Sequence, residues 1–439
     1  MAMICSSCGR QNVAFDRQWA SPTTVAESES GLDYTHLLRW QESMLFVRGD
    51  QYFLFNRQNS PNGDWRRVVL NGVPEKGYLI GLPGLDRGSN GVFYSGGIME
   101  HDQLVMSVLL GNMNTTRVQI VTETRWTIGK PVLFGPTGPS VRLNNPGRQR
   151  WPYLGAGVMR GSDLLLPYCL SAISVTTHTE EGPFNNGIFH SVDAGKTWRM
   201  ERISTNQAFH PAAVRSAGYY QYFVASLAAK RGAGFELVSS RKAVEGGTWT
   251  PAKAITSHLC IKGLDPAYSV VSDGQTTHLC WLDRRNEKRR LNPMNPQREN
   301  YEIAYSCRKD SDADWQKGVI VSKGVFYSYT PSISVESNRI VVVWSGSDND
   351  EDLHGEHSPN DVFYATSKDG GNTWMQPVKV TNSATNGITS GRPQVMLLNG
   401  TIHLFYIQGQ RQTEEISPGL TKLNQPPWPI IYQWRDFPN

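Results

Sequence analysis

Short apolar runs, each bounded by glycine, asparagine or serine, recur along the chain. Examples are Tyr220–Ala225, Thr277–Leu282, Arg339–Trp344 and Ile402–Ile407. Short runs that are rich in β-branched and aromatic residues are typical of β-strands, whereas amphipathic helices need longer stretches with a period of about 3.6 residues. Because such helical stretches are scarce in this sequence, the pattern predicts an all-β protein.

One phrase occurs twice among these runs. The sequence Ser-Val-Asp-Ala-Gly-Lys-Thr-Trp begins at Ser191, and Ser-Lys-Asp-Gly-Gly-Asn-Thr-Trp begins at Ser367. The aspartate can accept hydrogen bonds from N–H groups of its own turn, and the glycine can adopt a positive φ without steric cost. The tryptophan then places a large apolar surface in the interior. The phrase therefore predicts a hairpin turn between two antiparallel strands.

This phrase resembles the Asp-box, SxDxGxTW, of the sialidase-like (BNR-repeat) β-propellers. The resemblance implies a propeller fold and a carbohydrate-active function. In that family the Asp-box is structural and lies on the face away from the active site. We therefore expect Asp193 and Asp369 to stabilise turns rather than to take part in catalysis.

Tryptophans that precede a short extended segment mark this turn elsewhere in the chain. They are Trp19, Trp65, Trp126, Trp198, Trp249, Trp315 and Trp374. Repetition of this kind predicts a single seven-bladed β-propeller over residues 1–439, and a six-bladed ring, the sialidase norm, is the rival. Residues 1–12 are expected to be an extension that precedes the domain.

Each blade is predicted to contain four strands. For three successive blades the first three strands are predicted at 212–215, 220–225 and 235–239, at 267–271, 277–282 and 302–307, and at 331–335, 339–344 and 362–366. The last blade is predicted to be split between the two ends of the chain. Residues 394–398, 402–407 and 430–434 supply three of its strands, and residues 13–30 supply the closing strand. Such an overlap hides sheet edges that would otherwise promote aggregation.

Charge and cysteine content change this picture little. The net charge of +4 says little about partners, and no apolar run is long enough to span a membrane. We expect neither nucleic acid nor membrane as a partner, and a monomer or weak oligomer. The N-terminus lacks the apolar core of a signal peptide, so the location is left open, being secreted or periplasmic if a leader has been removed. Cys169 and Cys280 lie in apolar runs and are predicted to be core residues, whereas Cys5 and Cys8 lack the second pair that a zinc ribbon needs.

Five X-Pro dipeptides precede predicted inner strands, and ligands of propellers usually bind where these strands begin. They are Trp151-Pro152, His210-Pro211, Asp265-Pro266, Thr330-Pro331 and Arg392-Pro393. Proline at the first position of a strand needs no hydrogen-bond donor, and it favours extended geometry in the residue before it. In the first two blades, His36 and Asn90 occupy the matching positions. The residues predicted to surround the mouth of the central channel are therefore His36, Asn90, Arg150, Trp151, His210, Asp265, Tyr329 and Arg392.

Three long loops are predicted to open on the same face. The first begins with Asp283, Arg284 and Arg285, the second is the acidic stretch from Ser347 to His357, and the third extends from Ser171 to Asn186. The basic and acidic loops either pair with each other or form a clamp for an anionic ligand.

The acidic loop also raises the question of a metal. Asp348, Asp350 and Asp352 alternate as calcium ligands do, but the glycine and glutamate of the EF-hand pattern are missing. We expect no cofactor, and a structural or substrate-bridging Ca²⁺ stays open as an alternative.

Glycoside hydrolysis is the first reaction that these residues suggest. It needs two carboxyl groups, or a tyrosine nucleophile together with an acid. Asp265, Asp283 and Tyr329 are the candidates, and the predicted substrate-binding residues are Arg392, Arg150, Trp151, Arg284, Arg285, His36 and Asn90. True sialidases carry an FRIP-like start to the first blade. This chain has Tyr34-Thr-His36-Leu there, which puts sialic acid as the substrate in doubt.

Elimination by a polysaccharide lyase is the second reaction, since ulvan lyases are seven-bladed members of this fold. A lyase removes the proton α to a uronate carboxylate, which requires a base and a neutralising cation. His210, Tyr329, His36 and Arg392 provide such groups. A non-catalytic glycan-binding propeller is the third alternative, but its sites should repeat from blade to blade, and the predicted rim differs in every blade. The sequence thus predicts an enzyme that acts on an anionic oligo- or polysaccharide, with hydrolysis placed ahead of elimination.

Overall fold

The computed structural model of the protein describes residues 13–28, 35–40, 43–48, 51–56, 64–68, 91–100, 103–112, 118–127, 131–132, 141–142, 148–154, 158–160, 163–174, 180–193, 199–227, 235–260, 267–286, 301–348, 360–382, 387–417, 420–423 and 428–438. Throughout these ranges the regular structure is β-strand, which confirms the predicted all-β class. Within them, no helix has the length and apolar character that crossing a membrane requires.

The strands are numbered in chain order. The first group is β1 Thr23–Ser28, β2 Thr35–Trp40, β3 Ser43–Arg48, β4 Gln51–Asn56, β5 Asp64–Val68, β6 Gly91–Glu100, β7 Gln103–Asn112, β8 Val118–Thr127, β9 Pro131–Val132 and β10 Val141–Arg142. The second is β11 Arg148–Leu154, β12 Val158–Arg160, β13 Asp163–Ser174, β14 Glu180–Ser191, β15 Arg199–Ser204, β16 Ala208–Arg215, β17 Tyr219–Leu227, β18 Phe235–Ala243, β19 Lys253–Leu259, β20 Tyr268–Ser272, β21 Thr276–Asp283 and β22 Glu302–Lys309. The third is β23 Val319–Ile320, β24 Phe326–Glu336, β25 Arg339–Ser347, β26 Asp361–Ser367, β27 Val378–Lys379, β28 Ile388–Leu398, β29 Thr401–Ser417, β30 Leu420–Leu423 and β31 Trp428–Asp436.

These strands form antiparallel sheets in which chain neighbours pair. Strands β2–β5 form one sheet, β6–β8 another, and β9 pairs with β10. The β11 sheet has the order β11-β13-β14-β15, with β12 also on β13. The β16 sheet (β16–β19) and the β20 sheet (β20–β23) are linked by the single pair Leu259↔Asp283. The β24 sheet contains β24–β27, and the β28 sheet has the order β28-β29-β31-β1, with β30 on β29.

The strands predicted for the β16, β20, β24 and β28 sheets are confirmed, and most extend a few residues beyond the predicted bounds. The predicted loop from Ser171 to Asn186 is wrong in extent, because β13 continues to Ser174 and β14 already begins at Glu180. The strands pair through this region, so backbone hydrogen bonds occupy residues that the sequence assigned to a loop.

Alternate residues of β25 pack against two different neighbouring sheets. In β25, Val341 and Val343 join an apolar cluster with Leu404 of the β28 sheet. Val342 and Trp344 point the opposite way and join a cluster with residues of the β20 sheet. Because successive side chains of a strand alternate between its faces, one apolar run supplies both interfaces.

Four tryptophans of the repeated turn pack between their own sheet and the preceding one. Trp374 of the β24 sheet meets Tyr305 of the β20 sheet edge to face, with the ring centroids 4.8 Å apart. Trp315 of the β20 sheet meets Phe223 of the β16 sheet in the same way at 5.8 Å. Edge-to-face aromatic pairs stabilise beyond the area that they bury.

Two further tryptophans occupy the matching positions. Trp249 packs into the cluster between the β11 and β16 sheets, and its indole N–H donates to Glu201 Oε2 at 2.6 Å. Trp19 packs into the cluster between the β24 and β28 sheets, with its ring 5.5 Å from that of Tyr364. The repeated tryptophan is thus an inter-sheet contact at all four of these positions.

The second copy of the repeated phrase closes a tight turn after β26. Asp369 Oδ1 accepts the N–H of Thr373 at 2.9 Å, and its Oδ2 accepts the hydroxyl of Thr373 at 2.6 Å. Ser367 Oγ donates to Asp369 at 2.8 Å and accepts the N–H of Gly371, also at 2.8 Å. The hydrogen bond from the Thr373 hydroxyl contributes most to lowering the pKa of Asp369 to about 2. This carboxylate therefore holds the turn, as the sequence predicted.

The first copy has the same geometry where it is described. Ser191 Oγ donates to Asp193 at 2.8 Å and accepts the N–H of Asp193 at 3.4 Å. The corresponding distances between Ser367 and Asp369 are also 2.8 Å and 3.4 Å. The identical spacing in the sequence thus produces an identical start to both turns.

The N-terminal segment joins the last sheet, as predicted. Strand β1 pairs antiparallel with β31, with Thr23 opposite Tyr432, and the N–H of Ala20 donates to the carbonyl of Trp434 at 2.9 Å. Just upstream, Asp16 accepts the hydroxyl of Tyr364 at 2.6 Å and forms an ion pair with Arg435. The number of blades and the closing of the ring stay predictions.

The predicted core cysteines are confirmed, since Cys169 and Cys280 are both buried. Cys5 and Cys8 lie outside the described residues.

The two glycines of the Asp369 turn provide a matched test of the inter-sheet contact. Both have a positive φ, +71° for Gly370 and +96° for Gly371. A Cβ at Gly370 would meet nothing, whereas one at Gly371 would overlap the ring of Tyr305. We expect Gly370→Ala to cost about 1–2 kcal/mol through its backbone alone. Gly371→Ala should cost about 1–3 kcal/mol more because of the overlap.

Denaturant unfolding of the two variants beside the unsubstituted protein measures this difference. Equal losses of unfolding free energy would contradict the close packing of the turn on the β20 sheet.

Candidate functional site

Three inner strands carry the same irregularity at an X-Pro dipeptide. In β16, Phe209 pairs with Ala225 and the next paired residue, Ala212, pairs with Phe223. Strand β16 therefore has one more residue than its partner strand between these two pairs. The same one-residue bulge occurs at Thr330-Pro331 in β24 and at Arg392-Pro393 in β28. β-Bulges bend a strand, re-aim side chains and are frequent beside active sites.

The residue before each proline has a left-handed backbone. The φ angles are +52° at His210, +47° at Thr330 and +51° at Arg392. The sequence predicted extended geometry before proline, and that expectation is wrong at these three positions. In bulges of the G1 type the first residue has a positive φ, and here a non-glycine residue adopts it at a steric cost. Strained backbone of this kind persists only where the surrounding structure enforces it.

The three bulges lie at one end of neighbouring sheets. Strand β16 lies against β20, β20 against β24, and β24 against β28. We call this the bulged end. Because β24, β25 and β26 alternate in direction, the turn from Ser367 to Trp374 lies at the opposite end, which we call the turn end. The Asp-box turn and the bulges thus lie at opposite ends of the sheets, and binding of a ligand at the bulged end stays a prediction.

The other predicted rim positions are placed only in part. Trp151-Pro152 lies inside β11, where Arg150, Trp151 and Pro152 pair with β13 without a bulge, so this dipeptide does not mark the first residue of a strand. His36 lies in β2. Asn90 and Asp265 lie outside the described residues.

His210 is partly buried in the bulge of β16. Burial lowers the pKa of the imidazole from 6.5 to about 4. The backbone carbonyl of His210 accepts the hydroxyl of Tyr268, which ties the bulge of β16 to β20. Among the described residues, none forms a hydrogen bond with the imidazole. The ring is therefore neutral near neutral pH, and its lone pair can face a bound ligand.

Tyr329 is located in the interior rather than on the rim. Its side chain is 8% exposed and belongs to the apolar cluster between the β20 and β24 sheets. Its ring meets that of Tyr301 edge to face, with the centroids 6.2 Å apart. This packing favours a structural role over the predicted catalytic one.

The carboxylate of Asp283 is hydrogen-bonded to Arg285, two residues further along the chain. The residue is 1% exposed, and Arg285 donates to its Oδ1 through Nε at 2.9 Å and to its Oδ2 through Nη2 at 2.7 Å. The backbone N–H of Arg285 and the indole N–H of Trp281 each add a bond of 2.8 Å. The acceptor positions of the carboxylate are thus occupied, and a fork of this kind is a strong and specific pair.

The basic loop is therefore anchored at its base. Of the two predicted substrate-binding arginines, Arg285 is committed to Asp283, and the backbone N–H of Arg284 donates to the carbonyl of His258 at 2.9 Å. Arg285 thus pairs within its own loop. Pairing between the basic and the acidic loop stays a prediction.

The acidic loop starts with a pairing of the same kind. Lys379 Nζ lies 2.7 Å from Asp348 and 3.2 Å from Asp361, and both Lys379 and Asp361 are buried. Asp350 and Asp352 lie outside the described residues. Within the ranges that are described, no group of three or more His, Cys, Asp or Glu side chains is arranged to hold a metal ion. The calcium alternative stays untested.

Sequence reasoning missed several polar residues at the bulged end. Glu302 lies opposite Asp283 across β21 and β22, and Asn286 donates to its Oε2 at 2.5 Å. Ser345 lies between the bulges of β24 and β28, where its hydroxyl accepts the N–H of Arg392 at 3.2 Å. Glu302 precedes an apolar run and Ser345 follows one, and neither belongs to a recognisable motif. The sequence alone therefore does not indicate that either residue belongs to a site.

Acid should unfold the protein partly through His210. The folded state holds this imidazole neutral down to about pH 4, whereas the unfolded chain protonates it near its ordinary pKa of 6.5. The unfolded state thus binds more protons in this window, so stability falls as the pH drops from about 6.5 to about 4. We expect His210→Gln to lose less stability over that window than the unsubstituted protein.

Urea midpoints measured at several pH values test this expectation. His258→Gln, at an exposed position of β19, is the control and should retain the original acid dependence. Identical acid dependence in the His210 variant would show that this ring does not titrate as its burial requires.

Comparisons with known proteins add an architectural likeness. No protein-family model matches the chain, and no curated protein matches it. Among solved structures, an α-L-arabinanase from Penicillium chrysogenum is similar at 11% identity and a TM-score of 0.42, covering 95% of this chain and 98% of that one. An ulvan lyase of a polysaccharide lyase family is similar at 10% identity and a TM-score of 0.44, covering 83% and 82%. An α-L-arabinofuranosidase from Fusarium graminearum is similar at 10% identity and a TM-score of 0.38, covering 79% and 89%. Values this low assign no activity to this chain, and the resemblance to sialidase-like propellers continues to rest on the Asp-box phrase alone.

Proposed function

We propose that the protein is a carbohydrate-active enzyme that cleaves an acidic polysaccharide at the bulged end of its sheets. The observation that carries the proposal is the neutral imidazole of His210, which is held on a strained bulge and has no hydrogen-bond partner among the described residues. Arg392 occupies the equivalent bulge of β28. A base and a fixed cation at one end of the sheets are the groups that elimination next to a uronate requires.

In this proposal, the guanidinium of Arg392 binds the carboxylate of the acidic sugar. A guanidinium is always charged and can bind a carboxylate through two parallel hydrogen bonds. The chain as a whole carries a net charge of only +4, so attraction of an acidic polymer depends on local groups rather than on the global field. Neutralising the carboxylate also acidifies the adjacent C–H, which helps the base.

The chemical step is a β-elimination. The lone pair of the His210 imidazole takes the proton from the carbon α to the uronate carboxylate, and the C–H electrons form a carbon–carbon double bond to the β-carbon. The bond between the β-carbon and the glycosidic oxygen breaks with its electrons on oxygen. The imidazolium returns its proton to that oxygen, so the products are an unsaturated uronate end and a new hydroxyl. Nearby substrate carboxylate favours the imidazolium and raises the low pKa of His210 towards the working pH.

Hydrolysis is the second candidate, and it rests on carboxylates rather than on His210. Asp283 and Glu302 face each other across neighbouring strands at the bulged end, as the two acids of a glycosidase must. Asp283 is bound by Arg285 and Glu302 by Asn286, so both would have to be released before they reacted. The arrangement therefore favours elimination.

Substitution of His210 tests the proposal. Purified protein is incubated with a panel of uronate polymers, and the ultraviolet absorbance of unsaturated uronate is followed. We expect activity from the unsubstituted protein, and a fall in kcat of about 100-fold or more in His210→Gln, because the base is lost. Activity should decline as the pH is lowered and the imidazole becomes protonated.

His258→Gln again serves as the control and should retain full activity. New reducing ends without unsaturation would identify a hydrolase. Binding of the polymer without either product would identify a glycan-binding protein, and full activity in His210→Gln would remove this residue from the mechanism.

A further inference from the structure

One buried hydroxyl connects two of the three bulges. Ser345 is 3% exposed and lies on β25, where its backbone pairs with Tyr329 of the neighbouring inner strand. Its Oγ is 3.2 Å from Oγ1 of Thr330, the left-handed residue of β24. The same Oγ accepts the N–H of Arg392, the left-handed residue of β28, at 3.2 Å. The two bulges are therefore bridged by a single atom.

The contact with β28 extends beyond that hydrogen bond. A Cβ built on Gly391 would lie 3.8 Å from Ser345 Oγ, which is ordinary van der Waals contact. Ser345 thus lies against two successive residues of the bulge. Its hydroxyl can donate to Thr330 while it accepts from Arg392, so both of its hydrogen-bonding functions are used at the bulged end.

This contact bears on the conformation that Arg392 must hold. An arginine at a φ of +51° is sterically unfavourable, so its backbone needs a compensating interaction. The direction of a side chain follows from the backbone that carries it, and loss of that interaction lets the bulge relax. We infer that Ser345 is a positioning residue for recognition of the acidic sugar, which holds Arg392 in the left-handed conformation that presents its guanidinium to a carboxylate. This inference rests on the proposed function.

The same two sheets offer a matched control. Ser334 Oγ of β24 accepts the N–H of Leu397 of β28 at 2.9 Å, and Glu336 accepts the N–H groups of Asn399 and Gly400, each at 2.8 Å. These bonds tie β24 to β28 towards the turn end, away from the bulges. Ser334→Ala therefore removes a similar inter-sheet hydrogen bond without touching Arg392.

Calorimetric titration of four proteins tests the inference. They are the unsubstituted protein and the variants Ser345→Ala, Ser345→Thr and Ser334→Ala, each titrated with a galacturonate oligosaccharide and with its neutral methyl ester. We expect Ser345→Ala to weaken binding of the acid by about tenfold or more and to leave binding of the ester unchanged, because a charge-assisted contact is lost. Ser345→Thr should retain binding, since it keeps the hydroxyl, and Ser334→Ala should bind as the unsubstituted protein does.

Three results would overturn the inference. They are unchanged binding of the acid by Ser345→Ala, an equal loss of affinity in Ser334→Ala, and an equal loss for acid and ester. Failure of the unsubstituted protein to bind any uronate oligosaccharide would instead contradict the proposed function, and with it the recognition role of Ser345.

Hydrogen exchange tests the structural half of the inference without a ligand. The peptide that contains Arg392 should exchange faster in Ser345→Ala than in the unsubstituted protein, and at the original rate in Ser334→Ala. Unchanged exchange in Ser345→Ala would show that this hydroxyl does not hold the bulge, whether or not the glycan binds.

Discussion

The structure depends on the packing of neighbouring sheets against each other, in which alternate residues of one strand face different neighbours. Val341 and Val343 of β25 face one neighbour, whereas Val342 and Trp344 face the other. Because both faces of this strand are buried, the groups that a ligand can reach lie at the strand ends. Since consecutive strands are antiparallel, these ends form two surfaces with different loops. The division of the molecule into a turn end and a bulged end follows from this constraint.

The two ends use polar groups for different purposes. At the turn end, the carboxylate of Asp369 binds the backbone and side chain of its own turn, and the following Trp374 packs on the preceding sheet. These hydrogen bonds are all local and stabilise the fold. At the bulged end, His210 and Arg392 are held in conformations that cost free energy.

The sequence predicted what depends on local chemistry. Ser367, Asp369 and Trp374 could be assigned because a turn, a cap and an apolar anchor need those residues at that spacing. The pairing of β1 with β31 followed from the count of strands in the last sheet. Features that depend on packing in three dimensions were not predictable. The X-Pro dipeptides indicated the right strands but the wrong backbone angle, because the bulge overrides the local preference of the residue before proline.

The candidate catalytic residues show the same limit. Asp283 carries the right functional group, yet Arg285, only two residues away, donates to both of its carboxylate oxygens. Tyr329 is oriented into an apolar interface, which no local pattern reveals. Ser345 lies at the end of an apolar run, where no motif marks it. Its role depends on the three-dimensional placement of its hydroxyl between the bulges at Thr330 and Arg392.

The most direct test of the site is a crystal structure of the protein soaked with an acidic oligosaccharide. The account predicts that the sugar binds at the bulged end, with a carboxylate on the guanidinium of Arg392 and a ring carbon next to the imidazole of His210. A sugar bound at the turn end, beside the turn that contains Asp369, would contradict it.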